Sequence, residues 1–321
     1  MGENEVRRAE TQDAEEVTSL LRTSLGKADD AHYGAFLRWK HEQNPFGVSP
    51  EWVALDGARI VGYRTLLRWR FRTAEDNVIS VVRAVDTATD PEYRGRGIFR
   101  LLTVHAVADL TRAGDAFVFN TPNDQSRPGY LSMGWTVVRR LPVGVLPAGP
   151  GALARMAKSR VASQIWSEAS DVGVNAREAL ADQDTCESVL AHAPRAGIRT
   201  DRTAAYLRWR TGFEPLAYRV LFSDPSDAAA GAVVFRVRRR GEGLEAVIAE
   251  LFAPNKVAGM RLIRQVVAQT GADYAIGLRA GAATGLLPLP GQGPMLTARP
   301  LSRGIPVPSE WNLSMGDVEL F

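Results

Sequence analysis

Cysteine is nearly absent: Cys186 is the only one in 321 residues. An intramolecular disulfide and a cysteine-rich zinc site within one chain are thereby excluded. Histidine is scarce as well, and His32, His41, His105 and His192 show no metal-ligand spacing, so no metal is expected. No apolar run approaches the ~20 residues of a membrane span, and the opening MGENEVRRAETQDAEEV lacks the apolar stretch of a signal peptide. The reading is a cytoplasmic chain with no membrane partner. Lysine is almost missing too. Only Lys27, Lys40, Lys158 and Lys256 occur, so 35 of the 39 basic residues are arginine, and 36 acids reduce the net charge to +3. So small an excess makes little long-range field, and a nucleic-acid partner is not favoured.

What is present is ordinary for a folded protein: 45% hydrophobic and 23% charged residues, over a length that suggests two domains. Comparing the chain with itself explains that length. Phe36-Leu37-Arg38-Trp39-Lys40, with Pro45 beyond, returns as Tyr206-Leu207-Arg208-Trp209-Arg210 with Pro215. The same offset of 170 pairs Arg7 with Arg177, Ala9 with Ala179 and Leu20 with Leu190. A repeat this long is a whole domain rather than a solenoid unit. The Pro- and Gly-dense stretch Leu141–Gly151 marks the seam. The division expected is 1–145, a linker with a connecting helix over 146–175, and a second domain over 176–321.

Periodicity supplies the elements. Thr11 caps a helix reaching Ser24, with Asp13, Glu15 and Glu16 in its first turn, and a second helix carries Phe36–His41. Strands follow at 51–56, 59–71 and 77–88, the first two joined by the hairpin turn Asp56-Gly57. A helix over 98–113 stops at Gly114; Phe117–Asn120 is a short buried strand, and another covers 136–140. Residues 152–166 have helical spacing. In the second half a strand ends at Phe252, a helix covers 259–270 and a strand covers 274–278. The fold class is α+β, with two domains in tandem, each a mixed, mostly antiparallel sheet flanked by helices.

The most informative stretch is Asp86-Thr-Ala-Thr-Asp-Pro-Glu-Tyr-Arg94-Gly95-Arg96-Gly97-Ile98. A strand ends, the chain turns at Asp90-Pro91, and a glycine-bearing loop opens an amphipathic helix. Free amides at a helix N-terminus make an anion site, and Arg94, Arg96 and Arg100 add charged donors. The loop is not a P-loop, since no Lys-Ser or Lys-Thr follows. Nor is it a dinucleotide fingerprint, since Arg100 stands where the third glycine belongs.

Pro91-Glu-Tyr-Arg-Gly-Arg-Gly-Ile98 resembles motif A of the GNAT-type N-acetyltransferase superfamily, [QR]-x-x-G-x-[GA]. Arg94 and Gly97 match, whereas Phe99 departs from a small residue. Gly129-Tyr130-Leu-Ser-Met-Gly134-Trp135 resembles that superfamily's second signature. The two motifs cover residues ~85–136 at the expected separation. The resemblance implies two GNAT-like domains, the second degenerate because its loop Ala253–Gly259 has no Arg-x-x-Gly. It also implies acetyl-CoA or another acyl-CoA as co-substrate, with a small-molecule amine as acceptor. The amides of Arg94, Gly95, Arg96, Gly97 and Ile98 would hold the pyrophosphate. The strand edge Val85, Asp86 and Thr87 would pair with the pantetheine arm as an added strand does. Asn120 and Asn123 would orient the acyl carbonyl or the cofactor amides, or simply form turns.

Direct attack of an amine on a thioester needs a base, a carbonyl donor and an acid for the thiolate, but no nucleophilic cysteine. Tyr130 matches the position from which family members protonate the thiolate; the alternative is an aromatic core residue. Asp86 is the carboxylate nearest the cofactor strand, a base or an ion-paired aspartate. Some tandem relatives use a C-terminal carboxylate, which makes Phe321 a further candidate, although an apolar finish such as Trp311–Phe321 also suits a docked tail. Arg38-Trp39-Lys40-His41 recurs in the second half, which favours a packing role over an acceptor pocket. Two other readings stand beside the N-acyltransferase: a non-catalytic acyl-CoA sensor or partner module, and an aminoacyl-tRNA-dependent transferase. A monomer or homodimer is expected.

Overall fold

Strand β1 (Glu5–Arg8) leads into a turn closed by acids rather than by Thr11. Glu10 and Asp13 cap each other's backbone reciprocally, Asp13 pairs with Arg7 at 2.6 Å, and helix α1 (Ala14–Leu25) starts behind them. Helix α2 (Tyr33–His41) follows, then strands β2 (Glu51–Asp56), β3 (Arg59–Arg72) and β4 (Val78–Thr89). The β2–β3 hairpin turns at Asp56-Gly57 as the sequence predicts, with Asp56 opposite Arg59. Helix α3 (Ile98–Ala113) ends on left-handed Gly114. It is followed by β5 (Phe117–Asn120), α4 (Arg127–Ser132) and β6 (Thr136–Arg140). The computed structural model describes residues 5–27, 29–159, 161–278, 285–302 and 308–319.

The chain continues through β7 (Val143–Pro147), α5 (Pro150–Lys158), β8 (Val174–Asn175), α6 (Ala176–Ala179), α7 (Gln183–Leu190) and β9 (Ile198–Thr200). Next come α8 (Ala204–Thr211), β10 (Arg219–Asp224), β11 (Asp227–Arg240), β12 (Gly243–Phe252), α9 (Lys256–Thr270) and β13 (Tyr274–Leu278). Strands β14 (Leu287–Pro288), β15 (Met295–Pro300) and β16 (Trp311–Asn312) and helix α10 (Met315–Val318) complete it. The helix expected over 152–166 is shorter. It stops at Lys158 because the chain beyond bonds along β11, Gln164 N to Arg239 O at 2.8 Å and Glu168 N to Val237 O at 2.9 Å. That part of β11 lies past its pairing with β10, so its edge is available. The helix at 256–270 starts three residues earlier than periodicity suggested, because Asn255 caps it by accepting from Ala258 N.

Two compact units result. The first comprises residues 1–71, 77–139 and 294–309, and the second 72–76, 140–293 and 310–321. These limits differ from those drawn on the sequence: residues 146–175 belong to the second unit rather than to a linker, and 294–309 return to the first. The reason is strand exchange. In the first unit the sheet runs β1-β2-β3-β4-β5-β15-β6, with β15 antiparallel to β5. In the second it runs β14-β7-β13-β12-β11-β10-β8, with β7 antiparallel to β13. Each sheet has a parallel pair at the corresponding place, β4 with β5 and β12 with β13, and β16 also pairs with β9 in parallel. Both units are α+β with mostly antiparallel sheets, and the internal repeat is visible in them. Trp39 on α2 and Trp209 on α8 are both buried, and β3 and β11 are 14 residues each. Among the described residues no helix is long and apolar enough to cross a membrane.

The first core packs α3 on the sheet through Leu102, Ala106 and Leu110 against Trp52, Leu66, Val82 and Val118. Its tightest point is Gly62 on β3, where a Cβ would lie 2.4 Å from Ile98 Cγ2 at the head of α3. Glycine there lets the helix N-terminus sit on the strand. Gly62→Ala should therefore cost about 1–3 kcal/mol through overpacking, read as a lower urea midpoint at unchanged slope.

Candidate active site

Strands β4 and β5 pair in parallel at Val82–Val118 and Arg83–Phe119, and β5 ends at Asn120 while β4 runs on to Thr89. Beyond that point, among the described residues, that edge of β4 has no strand beside it. Within this free stretch the backbone departs from strand geometry at Asp86, whose φ is 23°. A non-glycine residue at positive φ is costly and persists only where its surroundings hold it. Here they do: Lys40 Nζ lies 2.6 Å and His41 Nε2 2.9 Å from Asp86 Oδ2, and His41 Nδ1 is 2.9 Å from Ser49 Oγ. The Lys40 side chain is fully buried and that of Asp86 is 7% exposed. Burial alone would raise the Asp86 pKa, but Lys40 and His41 outweigh it and hold the carboxyl well below the usual range. The Arg-Trp-Lys-His segment thus joins α2 to β4.

After β4, Asp90 accepts from Glu92 N and pairs with Arg59 at 2.6 Å, fixing the turn. Gly95 and Gly97 have φ of 77° and 80°, and a Cβ on either would meet nothing within 4 Å. Glycine is needed there for backbone conformation, and the space beside it is open. The amides of Gly95, Arg96, Gly97, Ile98, Phe99 and Arg100 make no hydrogen bond among the described residues. Such a row of free donors at the start of a 16-residue helix fits a pyrophosphate. A cleft of about 500 Å³ adjoins this region, and a larger cavity of about 670 Å³ is lined by residues of α1, α2, β2 and β3. The smaller runs from Thr87, Ala88 and Thr89 on β4 to Arg94, Gly95 and Gly97, with Asn123 opposite.

On the α3 side, Tyr130 is buried on α4, stacked edge-on with Phe99 (5.3 Å between centroids) and beside Trp135. Its phenol oxygen accepts from Arg64 Nη1 at 2.8 Å. Arg64 is wholly buried in β3, and its Nε and Nη2 have no hydrogen-bond partner among the described residues. The ring of Phe99 packs on Tyr130 and lies 5.6 Å from the Arg64 guanidinium, which accounts for the departure from a small residue in motif A. Adjacent strand residues point to opposite faces. Accordingly Tyr63, next to Arg64, lines the larger cavity, under α1 and α2, with His41, Glu51, Arg22, Arg38 and Gly34. Burial raises the pKa of Glu51, only partly countered by His41 and the neighbouring Tyr63 phenol. Burial and the Glu51 charge push Tyr63 well up, so it stays a neutral phenol.

The residues expected from the sequence divide as follows. Thr87, Arg94, Gly95, Gly97, Ile98 and Asn123 line the smaller cleft. Val85 and Asp86 lie just before it on β4, Asp86 turned to Lys40 and His41. Arg96 braces the loop instead, donating to Glu92 O at 3.0 Å with its guanidinium 4.4 Å over Tyr93. Asn120 is buried, and its Oδ1 is taken by Thr297 Oγ1 at 2.6 Å, on the exchanged strand β15. Asn123 also accepts from Ser126 N at 2.8 Å. Phe321 lies outside the described residues. Glu51, Tyr63 and Arg64 were missed: no motif marks them, although an arginine inside the apolar run of β3 was a signal. Among the described residues no cluster of three or more His, Cys, Asp or Glu could hold a metal.

Comparison with known proteins agrees with this geometry. Residues 5–138 match the family model described as an acetyltransferase (GNAT) domain. The chain is similar in fold to a conserved protein from Enterococcus faecalis V583 (14% identity, TM-score 0.65, covering 94% of this chain and 73% of that one). It is likewise similar to a GCN5-related N-acetyltransferase from Anabaena variabilis (13%, TM-score 0.64, 94% and 73%). A third likeness is to a GCN5-related N-acetyltransferase from Kribbella flavida (15%, TM-score 0.60, 93% and 72%). No curated protein sequence matches the chain.

Asp86→Asn strands the Lys40 charge in the interior and should cost about 3–5 kcal/mol in urea unfolding at neutral pH. A carboxyl with a depressed folded pKa stabilises above its unfolded value and loses that contribution as pH falls. The gap between wild type and variant should therefore narrow below about pH 4. Adding Lys40→Met to Asp86→Asn should recover part of the loss.

Proposed function

Because residues 5–138 match the acetyltransferase (GNAT) domain model, we propose that the chain is an acyl-CoA-dependent N-acyltransferase acting on a small-molecule amine. The observation that carries this reading is the row of free amides from Gly95 to Arg100 beside a strand edge that has no neighbour. Arg94 adds charge to that row, and the β4 edge at Thr87–Thr89 can bond an amide-rich arm as an added strand would. Bound there, an acyl-CoA supplies the thioester that the amine attacks.

The chain's own residues then divide the proton work. Glu51 is the base, because burial lifts its pKa toward the working range while Lys40 and His41 leave Asp86 too weak a base. We assign Asp86 to positioning: it fixes His41 beside the cavity and holds the bend in β4. The amine proton passes to the Glu51 carboxylate, directly or through a water. As the carbon–sulfur bond breaks, the Tyr130 phenol gives its proton to the leaving thiolate. Arg64 supports this step, since its donation to the phenol oxygen leaves the phenolic hydrogen free and stabilises the phenolate formed. A cavity of about 670 Å³ suits a small acceptor rather than a folded protein.

Calorimetric titration with acetyl-CoA and thiol release with an amine panel test this reading. Arg94→Ala combined with Gly97→Glu should weaken acetyl-CoA binding by about 100-fold or more. Tyr130→Phe should lower kcat by about 100-fold with little change in affinity; an equal loss of both removes Tyr130 from the acid role. In wild type, kcat/KM should rise with pH through the Glu51 pKa, and Glu51→Gln should abolish that acidic limb. Tight acetyl-CoA binding without thiol release for any amine would make the chain a sensor.

A further inference from the structure

Most arginines with described partners are paired with acids, as Arg68 is with Asp115, Arg202 with Asp317 and Arg236 with Glu319. Two that line the larger cavity are not. Arg22 on α1 and Arg38 on α2 make no side-chain hydrogen bond or ion pair among the described residues, and Arg22 Nε is buried without a partner. They converge over Gly34: a Cβ placed on that glycine would lie 3.7 Å from Arg22 Nη2 and 4.0 Å from Arg38 Nη1. Two guanidiniums this close repel each other unless an anion sits between them. The absence of a side chain at residue 34 keeps that space open.

The opposite end of the same helix face carries the other sign. Gly34, Leu37, Arg38, His41 and Glu42 all line the cavity, and Glu51 lies close enough to His41 and Glu42 to feel both charges. Seven residues separate Gly34 from His41, about 10 Å along a helix axis. Glu15 also lines the cavity, yet neither it nor Glu42 pairs with the two arginines. The cavity is thus dipolar, with a carboxylate end where the acceptor nitrogen reacts and a guanidinium end that lacks its counter-ion.

Resting on the acyl-transfer reading of this site, we infer that the acceptor carries a carboxylate about 10 Å from its reacting amine, held between Arg22 and Arg38. An α-amino acid, whose two groups lie on the order of 3 Å apart, is too short to reach both ends. A long ω-amino acid or a short peptide spans them.

The test uses the full chain and 8-aminooctanoate as probe, with its methyl ester and glycine for comparison. Calorimetric titration needs no acyl donor and reads the anion site alone. The acid should bind at least ten-fold more tightly than the ester, with an advantage that shrinks as salt is raised, and glycine should bind weakly. The double variant Arg22→Gln, Arg38→Gln should bring acid and ester to equal affinity, whereas the surface control Arg177→Gln should leave the ratio as in wild type. Equal affinity of acid and ester in wild type overturns the inference, as does absence of binding by both, or an advantage that survives the double variant. Thiol release from acetyl-CoA with the same probes separates the two readings. Selective binding without release leaves the anion pair standing and removes the transfer chemistry; release with no preference for the acid does the reverse.

Discussion

The buried contact of Asp86 with Lys40 and His41 is the constraint on which the first unit's site depends. It sets three things at once: the seat of α2, the bend in β4, and the position of the cavity wall. A buried carboxylate at positive φ is expensive twice over, once for backbone strain and once for desolvation. Its persistence requires the partners brought by consecutive residues of one helix, the Lys40 ammonium and the His41 ring. The bend in turn marks where β4 runs on without a partner, and that unpaired edge is what gives the cleft a backbone to offer.

Chemistry is delivered to both faces of the sheet by neighbouring residues of one strand. Tyr63 faces the cavity under α1 and α2, and Arg64 reaches Tyr130 beneath α3. Pleating makes this automatic: adjacent residues of one strand reach opposite faces of the sheet by alternation alone. Gly62, one step earlier, admits Ile98 and so sets the head of α3, where the free amides lie. Three consecutive residues thus touch the head of α3, the larger cavity and the Tyr130 phenol.

The second unit repeats the framework with different contents. Arg210 stands where the repeat puts Lys40, but it is buried against the end of the chain, donating to Gly316 O and Glu319 O. Arg202 with Asp317 and Arg236 with Glu319 fasten the same segment. The described part of this segment, Trp311–Glu319, is docked, and ion pairs do much of the fastening. Arginine suits this role because its planar donors serve carboxylates and carbonyls together and its charge survives burial. Several of the chain's many arginines, Arg64, Arg210 and Arg236 among them, are thus internal structure.

Several features were legible in the sequence because they are local. The duplication, the Asp56-Gly57 hairpin, the Gly114 helix stop and the loop Arg94–Gly97 each depend on a few adjacent residues whose backbone preferences do not need the rest of the chain. The α+β class and the family resemblance followed from these. Strand exchange was not legible: β7 and β15 pair with strands more than a hundred residues away, and only the uncovered edges of β13 and β5 decide where they go. For the same reason the partners of Asp86, the support that Arg64 gives Tyr130, and the two arginines over Gly34 were invisible beforehand. Side-chain types can be read along a chain, but whether a charge is paired is a property of three-dimensional neighbours.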